Sequence, residues 1–341
     1  VAQGWTEEPG RDGRGLGEEE RLQSMRITVI GLGLIGGSLL RALDAAGHDV
    51  TGFDADPATR AAAGAAGFRI VESVDAAARG PELIVSAVPL PVLPQVITQL
   101  AGTDALVTDV TSVKGPVRDL MAAHGVRRFV GGHPMAGKET SGFGAAEKDL
   151  FDGCAWVLCL EPHDTDLDDW LTLARLFTGL GARVVPVTAS EHDTAVAQIS
   201  HVPHLFAAAL AEQILENPLA GTLGAGSFRD GTRVAATRPE LTAAMCGGNH
   251  SAVQRELHRL IGVLQDMSES LQADDPVGAL IPHLKLGAQA RQAWPAAPGQ
   301  PSTIAAAGGP LLDLGRSGGW VTAVNDTELV VLRPETDRNA F

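Results

Sequence analysis

Positive charge, cysteine and long apolar runs are all scarce in this chain, and each shortage closes a class of function. Only 26 Lys and Arg stand against 41 Asp and Glu, leaving a net charge of −15. Such a surface repels phosphate polymers and anionic bilayers, so neither nucleic acid nor a membrane is an expected partner. A small anionic substrate stays compatible with it, provided arginines gather locally. Cys154, Cys159 and Cys246 have neither the pairing of a secreted disulfide framework nor the close Cys/His spacing of a zinc site, and read as buried small hydrophobes. No apolar run reaches the roughly 18 to 20 residues of a membrane span, and no basic start leads into an apolar stretch at the N-terminus. The expected address is the cytoplasm.

What is present is an ample core. At 341 residues and 45% hydrophobic content, the chain is long enough for two domains. Residues 1–24 are rich in Gly, Glu and Arg and are expected to form a disordered tail, with Met25 a candidate translation start just ahead of the first strand-like run. Across residues 25–187, β-branched runs at 27–30, 50–53, 83–88, 105–110 and 128–130 alternate with Ala-rich helical stretches. That alternation predicts an α/β Rossmann-type doubly wound sheet. Two later runs, 155–160 and 183–187, flank a helical segment around 168–180 and are expected to extend the same sheet.

Residues 188–286 turn almost wholly helical and predict an all-α substrate and dimerisation domain. Val253, Leu257, Leu260, Ile261, Leu264, Met267 and Leu271 recur at three- and four-residue spacing on one face. Pro203 should interrupt a long helix over 190–216. The apolar stripes exceed what one short bundle can cover, which predicts a homodimer through this half. Residues 287–341 read as a Gly/Ala/Pro-rich linker to 319, then a possible hairpin of 320–324 and 328–332 around Asn325 and Asp326.

The first strand leads into Gly31-Leu32-Gly33-Leu34-Ile35-Gly36, and Asp54 lies about twenty residues beyond its start, at the end of the next strand. A lone G-x-G-x-x-G is weak evidence in a chain with 40 glycines; with strand, helix and acid all in place it predicts a dinucleotide site. Gly31 permits the tight turn, Gly33 lets the backbone approach a pyrophosphate at the helix N-terminus, and Gly36 lets helix and strand pack closely. Leu34, Ile35, Val88 and Thr111 complete the expected cofactor contacts. Asp54 suits ribose hydroxyls and repels a 2′-phosphate, so NAD is expected over NADP, although Arg60 lies within one or two helical turns.

Two further strand ends carry polar clusters, 109–115 and 131–141. In doubly wound sheets ligands collect at carboxyl ends of strands, so Ser112 and His133 should meet one substrate hydroxyl near the nicotinamide. Ser112 could instead cap the helix that follows it, and His133 could be a satisfied core imidazole. In the helical half, Ser200, His201, His204, Asp230 and Arg233 form polar islands. The His201/His204 pair lacks a carboxylate in a zincin arrangement and Pro203 disturbs its register, so no metal is expected. Arg233 suits a substrate carboxylate, with Asp230 orienting a neighbour.

The motifs GLGLIGGS, DVTSVKG, GGHPMAG, ISHVPH and FRDGTRVA, in that order over about residues 26 to 275, resemble the prephenate/arogenate dehydrogenases of tyrosine biosynthesis. The resemblance implies NAD-dependent oxidative decarboxylation of prephenate or arogenate by a homodimer. In it His133 is the acceptor of the C4 hydroxyl proton and Ser112 its partner at that hydroxyl. Ser200 and His204 are pocket residues, Arg233 the carboxylate-binding arginine, and Glu139 and Asp230 polar members near the mouth. The chain departs from the pattern at Thr242, where some relatives carry tryptophan, and its tail carries no clear regulatory-domain signal. Two alternatives stay open: a β-hydroxyacid dehydrogenase-like reductase, against which the lack of lysine between Lys148 and Lys285 counts, and a non-catalytic NAD-sensing dimer.

Overall fold

The computed structural model describes residues 24–335 apart from Glu139 and Asp326; the expected tail, but for its last residue, lies outside them. β1 (Arg26–Ile30), α1 (Leu34–Ala45), β2 (Asp49–Phe53), α2 (Pro57–Ala65), β3 (Arg69–Ile70), α3 (Val74–Ala77), β4 (Leu83–Ser86), α4 (Leu93–Leu100), β5 (Leu106–Asp109), α5 (Gly115–Ala123) and β6 (Phe129–Val130) build the first unit. Its six strands are all parallel, in the order β3-β2-β1-β4-β5-β6. Because side chains alternate across a strand, Ile27, Val29, Leu83, Val85 and Leu106 feed one buried core while Ile30, Ile84 and Val107 feed another. Both faces of the sheet are therefore covered, which is why its strands read as nearly continuous apolar runs. The strand order reverses between β1 and β4, and that switch point opens a crevice at the carboxyl ends of the strands.

The later strands do not extend this sheet. β7 (Gly132–Pro134) starts a second six-stranded sheet, ordered β10-β12-β11-β9-β8-β7. It pairs antiparallel with β8 (Ala155–Cys159), which runs parallel to β9 (Arg183–Val187) after the crossover helix α6 (Leu167–Gly179). The far side of β9 is taken by the C-terminal segment: β10 (Ser302–Ala305), α14 (Gly308–Arg316), β11 (Trp320–Val324) and β12 (Glu328–Leu332). Residues 302–316, expected to be linker, thus supply a strand of the sheet and a helix laid against it, and the hairpin β11–β12 pairs antiparallel. The glycines that suggested a linker serve packing instead. A Cβ on Gly315 would collide with the Pro186 carbonyl, so α14 can lie on β9 only with glycine there, burying Leu311, Leu312 and Leu314.

Between these parts runs the helical half: α7 (Ala189–Val196), a π-helical turn (Ala197–His201), α8 (Val202–Glu216), α9 (Pro218–Leu223), α10 (Gly226–Thr232), a 3-10 turn (Arg233–Ala236), α11 (Pro239–Gly248), α12 (His250–Ser270) and α13 (Pro276–Gln292). The expected interruption near Pro203 takes the form of the π turn, with Pro203 in the first turn of α8, where a missing N–H costs least. The buried centre of this half is small: Ala197, Val202, Ala252 and Val253, with Leu205, Leu257 and Leu260 packed against them. Leu215, Leu219, Leu223, Val277 and Leu286 stay well exposed, Leu215 at 78%. Among the described residues no helix is long and apolar enough to cross a membrane.

Candidate active site

The loop after β1 is shaped by its glycines. Gly31 sits at φ +93 and donates to the Phe53 carbonyl at 2.7 Å, and a Cβ there would fall 2.6 Å from the Ala87 carbonyl oxygen. A Cβ on Gly36 would collide with the Gly31 carbonyl, so helix and strand meet only through glycine. Gly33 differs, with no neighbour within 4 Å of the place its Cβ would take. That open face, together with the first turn of α1, which no side chain caps, fits a pyrophosphate approaching the backbone. Asp54 is held at the mouth of β2, its carboxylate accepting from the Leu32 N–H at 2.7 Å and the Asp56 N–H at 2.8 Å. Arg60 is turned to other work: its guanidinium donates to the Asp54 and Ala55 carbonyls at 2.8 and 3.1 Å and pairs with Glu72 at 3.1 Å.

A cavity of about 730 Å³ runs along this crevice. Its wall gathers Gly31, Gly33, Leu34, Ile35, Gly36, Asp54, Val88 and Thr111 with Ser112 and His133, drawn from the loops at the strand ends, the first turn of α1 and β7. The helical half closes it with His204 of α8 and with Thr237, Leu241, Thr242 and Met245. Nucleotide cradle, imidazole and helical wall therefore share one space.

Not every expected residue reaches it. Ser200 lies in the π turn, one layer back: its hydroxyl is 4.0 Å from the Met245 sulfur and its carbonyl accepts from His204 Nδ1 at 2.8 Å. Asp230 of α10 and Arg233 of the 3-10 turn are exposed and outside the cavity lining. Arg233 therefore does not line this cavity with His133: the 3-10 turn packs against α8, and Thr237, just after it, stands on the wall. Glu139 lies outside the described residues. Ser112 lines the cavity and does not cap α5; the N-cap there is Lys114, whose side chain makes no cap bond.

The cap comes from across the fold. Asp193 of α7 accepts the Lys114 N–H and the Gly115 N–H, each at 2.8 Å, and a carboxylate is well placed at that positive helix end. The same carboxylate lies 2.8 Å from His192 Nδ1, and His192 Nε2 lies 2.8 Å from His133 Nδ1. Asn249 secures the group from α12's end, donating to the Asp193 carbonyl at 2.7 Å. Below it, Lys114 Nζ pairs with Asp109 and donates to the Gly132 carbonyl at 2.6 Å. Asp109 and Lys114 belong to the 109–115 cluster that the sequence pointed to, without roles of their own; His192, Asp193 and Asn249 were not singled out by sequence reasoning, and the acidic-histidine run 191–193 was the available signal.

Burial, reinforced by His192, Lys114 and His201, holds the His133 imidazole well below the usual histidine range. Burial also depresses His192, with the Asp193 hydrogen bond opposing it. For Asp193 burial pushes up, but the His192 and backbone N–H bonds outweigh it and the carboxyl stays below its ordinary value. Burial and then His192 push His201 down to about 4. The result is a neutral imidazole on the cavity wall backed by an ionised carboxylate. Among the described residues no three His, Cys, Asp or Glu side chains group as a metal site.

Comparison with known proteins agrees with this arrangement. Residues 39–186 match the nucleotide-binding domain of prephenate dehydrogenase and residues 188–286 its dimerization domain. Prephenate dehydrogenase of Lactococcus lactis is 34% identical over 223 residues, 62% of this chain and 61% of that protein. Cyclohexadienyl dehydrogenase of Zymomonas mobilis is 31% identical over 284 residues, 78% of this chain and 95% of that protein. The chain spans less than two thirds of the length of the first curated relatives it matches. Among solved structures, prephenate dehydrogenase of A. aeolicus in complex with hydroxyphenyl propionate and NAD+ superimposes with a TM-score of 0.73 at 25% identity, covering 80% of this chain and 98% of that one. With both domains matched in order and a relative covered over nearly its whole length, this chain belongs to the prephenate dehydrogenase family.

Proposed function

We propose that the protein catalyses the NAD-dependent oxidative decarboxylation of prephenate to 4-hydroxyphenylpyruvate, or of arogenate to tyrosine, in L-tyrosine biosynthesis. The observation that carries this reading is the shared cavity: the Gly31–Gly36 cradle and His133 line one space, with His204 facing them from the helical half. NAD, when bound, supplies the acceptor for the hydride leaving C4 of the cyclohexadienyl ring. His133 takes the proton of the C4 hydroxyl as that oxygen becomes carbonyl-like, an effect of about 10² to 10⁴ in rate. The ring carboxylate departs as carbon dioxide, and its bonding pair completes the aromatic ring. Ser112 stands beside His133 at the hydroxyl. The cavity wall orients the ring, which is an entropic contribution to the rate.

His204, Thr237 and Thr242 are the helical half's own surface toward the substrate. Arg233 and Asp230, a short turn ahead of Thr237, are assigned to the entrance, where a guanidinium can meet a substrate carboxylate as it arrives; Ser200 supports His204 through its carbonyl. A homodimer through residues 188–286 would cover the apolar residues left exposed on the helices.

The test is absorbance at 340 nm after NAD is mixed with protein and either substrate. Reduction with prephenate or arogenate supports the reading; NAD binding without reduction by either overturns it. Cofactor choice supplies a second expected outcome. Asp54 sits where the adenosine ribose belongs and Arg60 is committed to backbone carbonyls and Glu72, so the site favours NAD over NADP. Asp54→Ser should remove the repulsion of a 2′-phosphate and narrow the ratio of kcat/KM between NAD and NADP. An unchanged ratio would assign the discrimination to another residue.

A further inference from the structure

We propose that His192 and Asp193 are a positioning pair that sets the tautomer of His133, so that its Nε2 is the nitrogen that accepts the substrate proton. The inference rests on the reading of His133 as the base and adds two residues, from the start of the helical half, to that site.

The line of hydrogen bonds runs outward from Asp193. Its carboxylate receives two backbone N–H groups at the N-terminus of α5 and is held ionised among them. An ionised carboxylate only accepts hydrogen bonds, so the His192 nitrogen 2.8 Å away, Nδ1, carries the hydrogen and donates it. Neutral His192 then has its lone pair on Nε2. That nitrogen faces His133 Nδ1 at 2.8 Å and can only accept, so His133 carries its hydrogen on Nδ1. The lone pair of His133 is left on Nε2.

Each link is geometrically constrained. The two imidazoles meet edge to face, with centroids 5.1 Å apart and planes at 74°, which directs a ring nitrogen of one toward the edge of the other. His192 is buried, at 2% exposure, so its ring nitrogens are bonded within the protein rather than to bulk water. Asp193 is fixed at three points, by Lys114 and Gly115 of one half and by Asn249 of the other. The charged or titratable groups facing His192 are His133, Asp193, Lys114, Asp109 and His201. Of these only Asp193 is bonded to Nδ1, so the chain has one consistent protonation pattern in the neutral state. When the C4 O–H bond breaks, the proton forms a bond to His133 Nε2 and the oxygen keeps the electron pair. The cation on His133 then lies one hydrogen bond from His192 and two from the carboxylate, which favours it over a cation facing burial alone.

The experiment compares the wild type with His192→Leu and His192→Gln. Nitrogen shifts of ¹⁵N-labelled imidazoles report which nitrogen of His133 is protonated, and kcat and NAD affinity are measured alongside. The expected wild-type state is Nδ1–H. His192→Leu removes the acceptor, so His133 should shift toward Nε2–H, with kcat down about 100-fold or more and NAD affinity held, since a wrong tautomer disables a base without disturbing the cradle. His192→Gln restores an acceptor oxygen and should recover both the Nδ1–H state and most of the turnover. Nε2–H in the wild type, an unshifted tautomer in the Leu variant, or a Gln variant as impaired as Leu would each overturn the proposal. Absence of turnover in the wild type with either substrate would overturn the assigned reaction instead, while the tautomer measurement would still decide the role of the pair.

Discussion

Replacing His133 with Asn lowers the turnover number by about two to four orders of magnitude and leaves NAD affinity where it was. The substitution keeps a polar side chain of similar reach but removes the nitrogen that can take a proton. Affinity for NAD should survive because the cradle is built by Gly31, Gly33 and Gly36, whose geometry depends on Ala87 and Phe53 rather than on β7. The pH profile makes the prediction sharper. A base works only when unprotonated, so activity is present above its pKa in the free enzyme and lost as pH falls through it. Burial, then His192, Lys114 and His201, depress that value. The acid limb of kcat/KM in the wild type should therefore lie below the ordinary histidine pKa of about 6.5, and the limb owed to His133 should vanish in the Asn variant. Undiminished turnover, or an unaltered acid limb in the variant, would move the base elsewhere.

The parts of this site that could be read from the chain are those whose physics is local. G-x-G-x-x-G next to a strand needs glycine for reasons contained within a single turn, and Asp54 closes the same turn by binding the Leu32 N–H. The sheet was legible because Ile27, Val29 and Ile30 must all be buried wherever their partners are. What escaped was long in range. His133 and His192 are 59 positions apart and meet only because β7 pairs with β8 and α7 follows β9. Nothing in 191–193 taken alone distinguishes a surface helix start from a partner of the site. Gly308, Gly309 and Gly315 carried the composition of a linker, yet Gly315 is required by close approach to Pro186. Arg233 was assigned by chemistry alone, and chemistry does not say which side of a 3-10 turn faces the cavity.

Removal of Lys114 should damage the fold more than any other single change near the site. Its side chain is 1% exposed and that of Asp109 0%. Lys114 Nζ binds Asp109, the Thr111 hydroxyl at 3.2 Å and the Gly132 carbonyl at 2.6 Å. Asp109 in turn accepts the Thr111 N–H at 2.9 Å and the Gly132 N–H at 3.2 Å. The pair thus clamps β5 to the residue before His133, at the point where the chain leaves the first sheet for the second. Lys114→Met has nearly the right volume but leaves a buried carboxylate without its cation, which costs about 3 to 5 kcal/mol. Urea unfolding should show the loss as a lowered midpoint with little change in slope. A buried ion pair replaced as a unit behaves differently, since both desolvation penalties disappear together. Lys114→Met combined with Asp109→Leu should regain part of the stability, the remainder being lost to the buried Thr111 and Gly132 groups left without partners. It should not regain turnover, because Gly132 then has neither clamp on its carbonyl nor an acceptor for its N–H, and His133 is released from the line to His192. A double variant as unstable as the single one would mean that shape, not charge, is what this corner of the protein needs; a double variant with full turnover would mean that the clamp does not position His133.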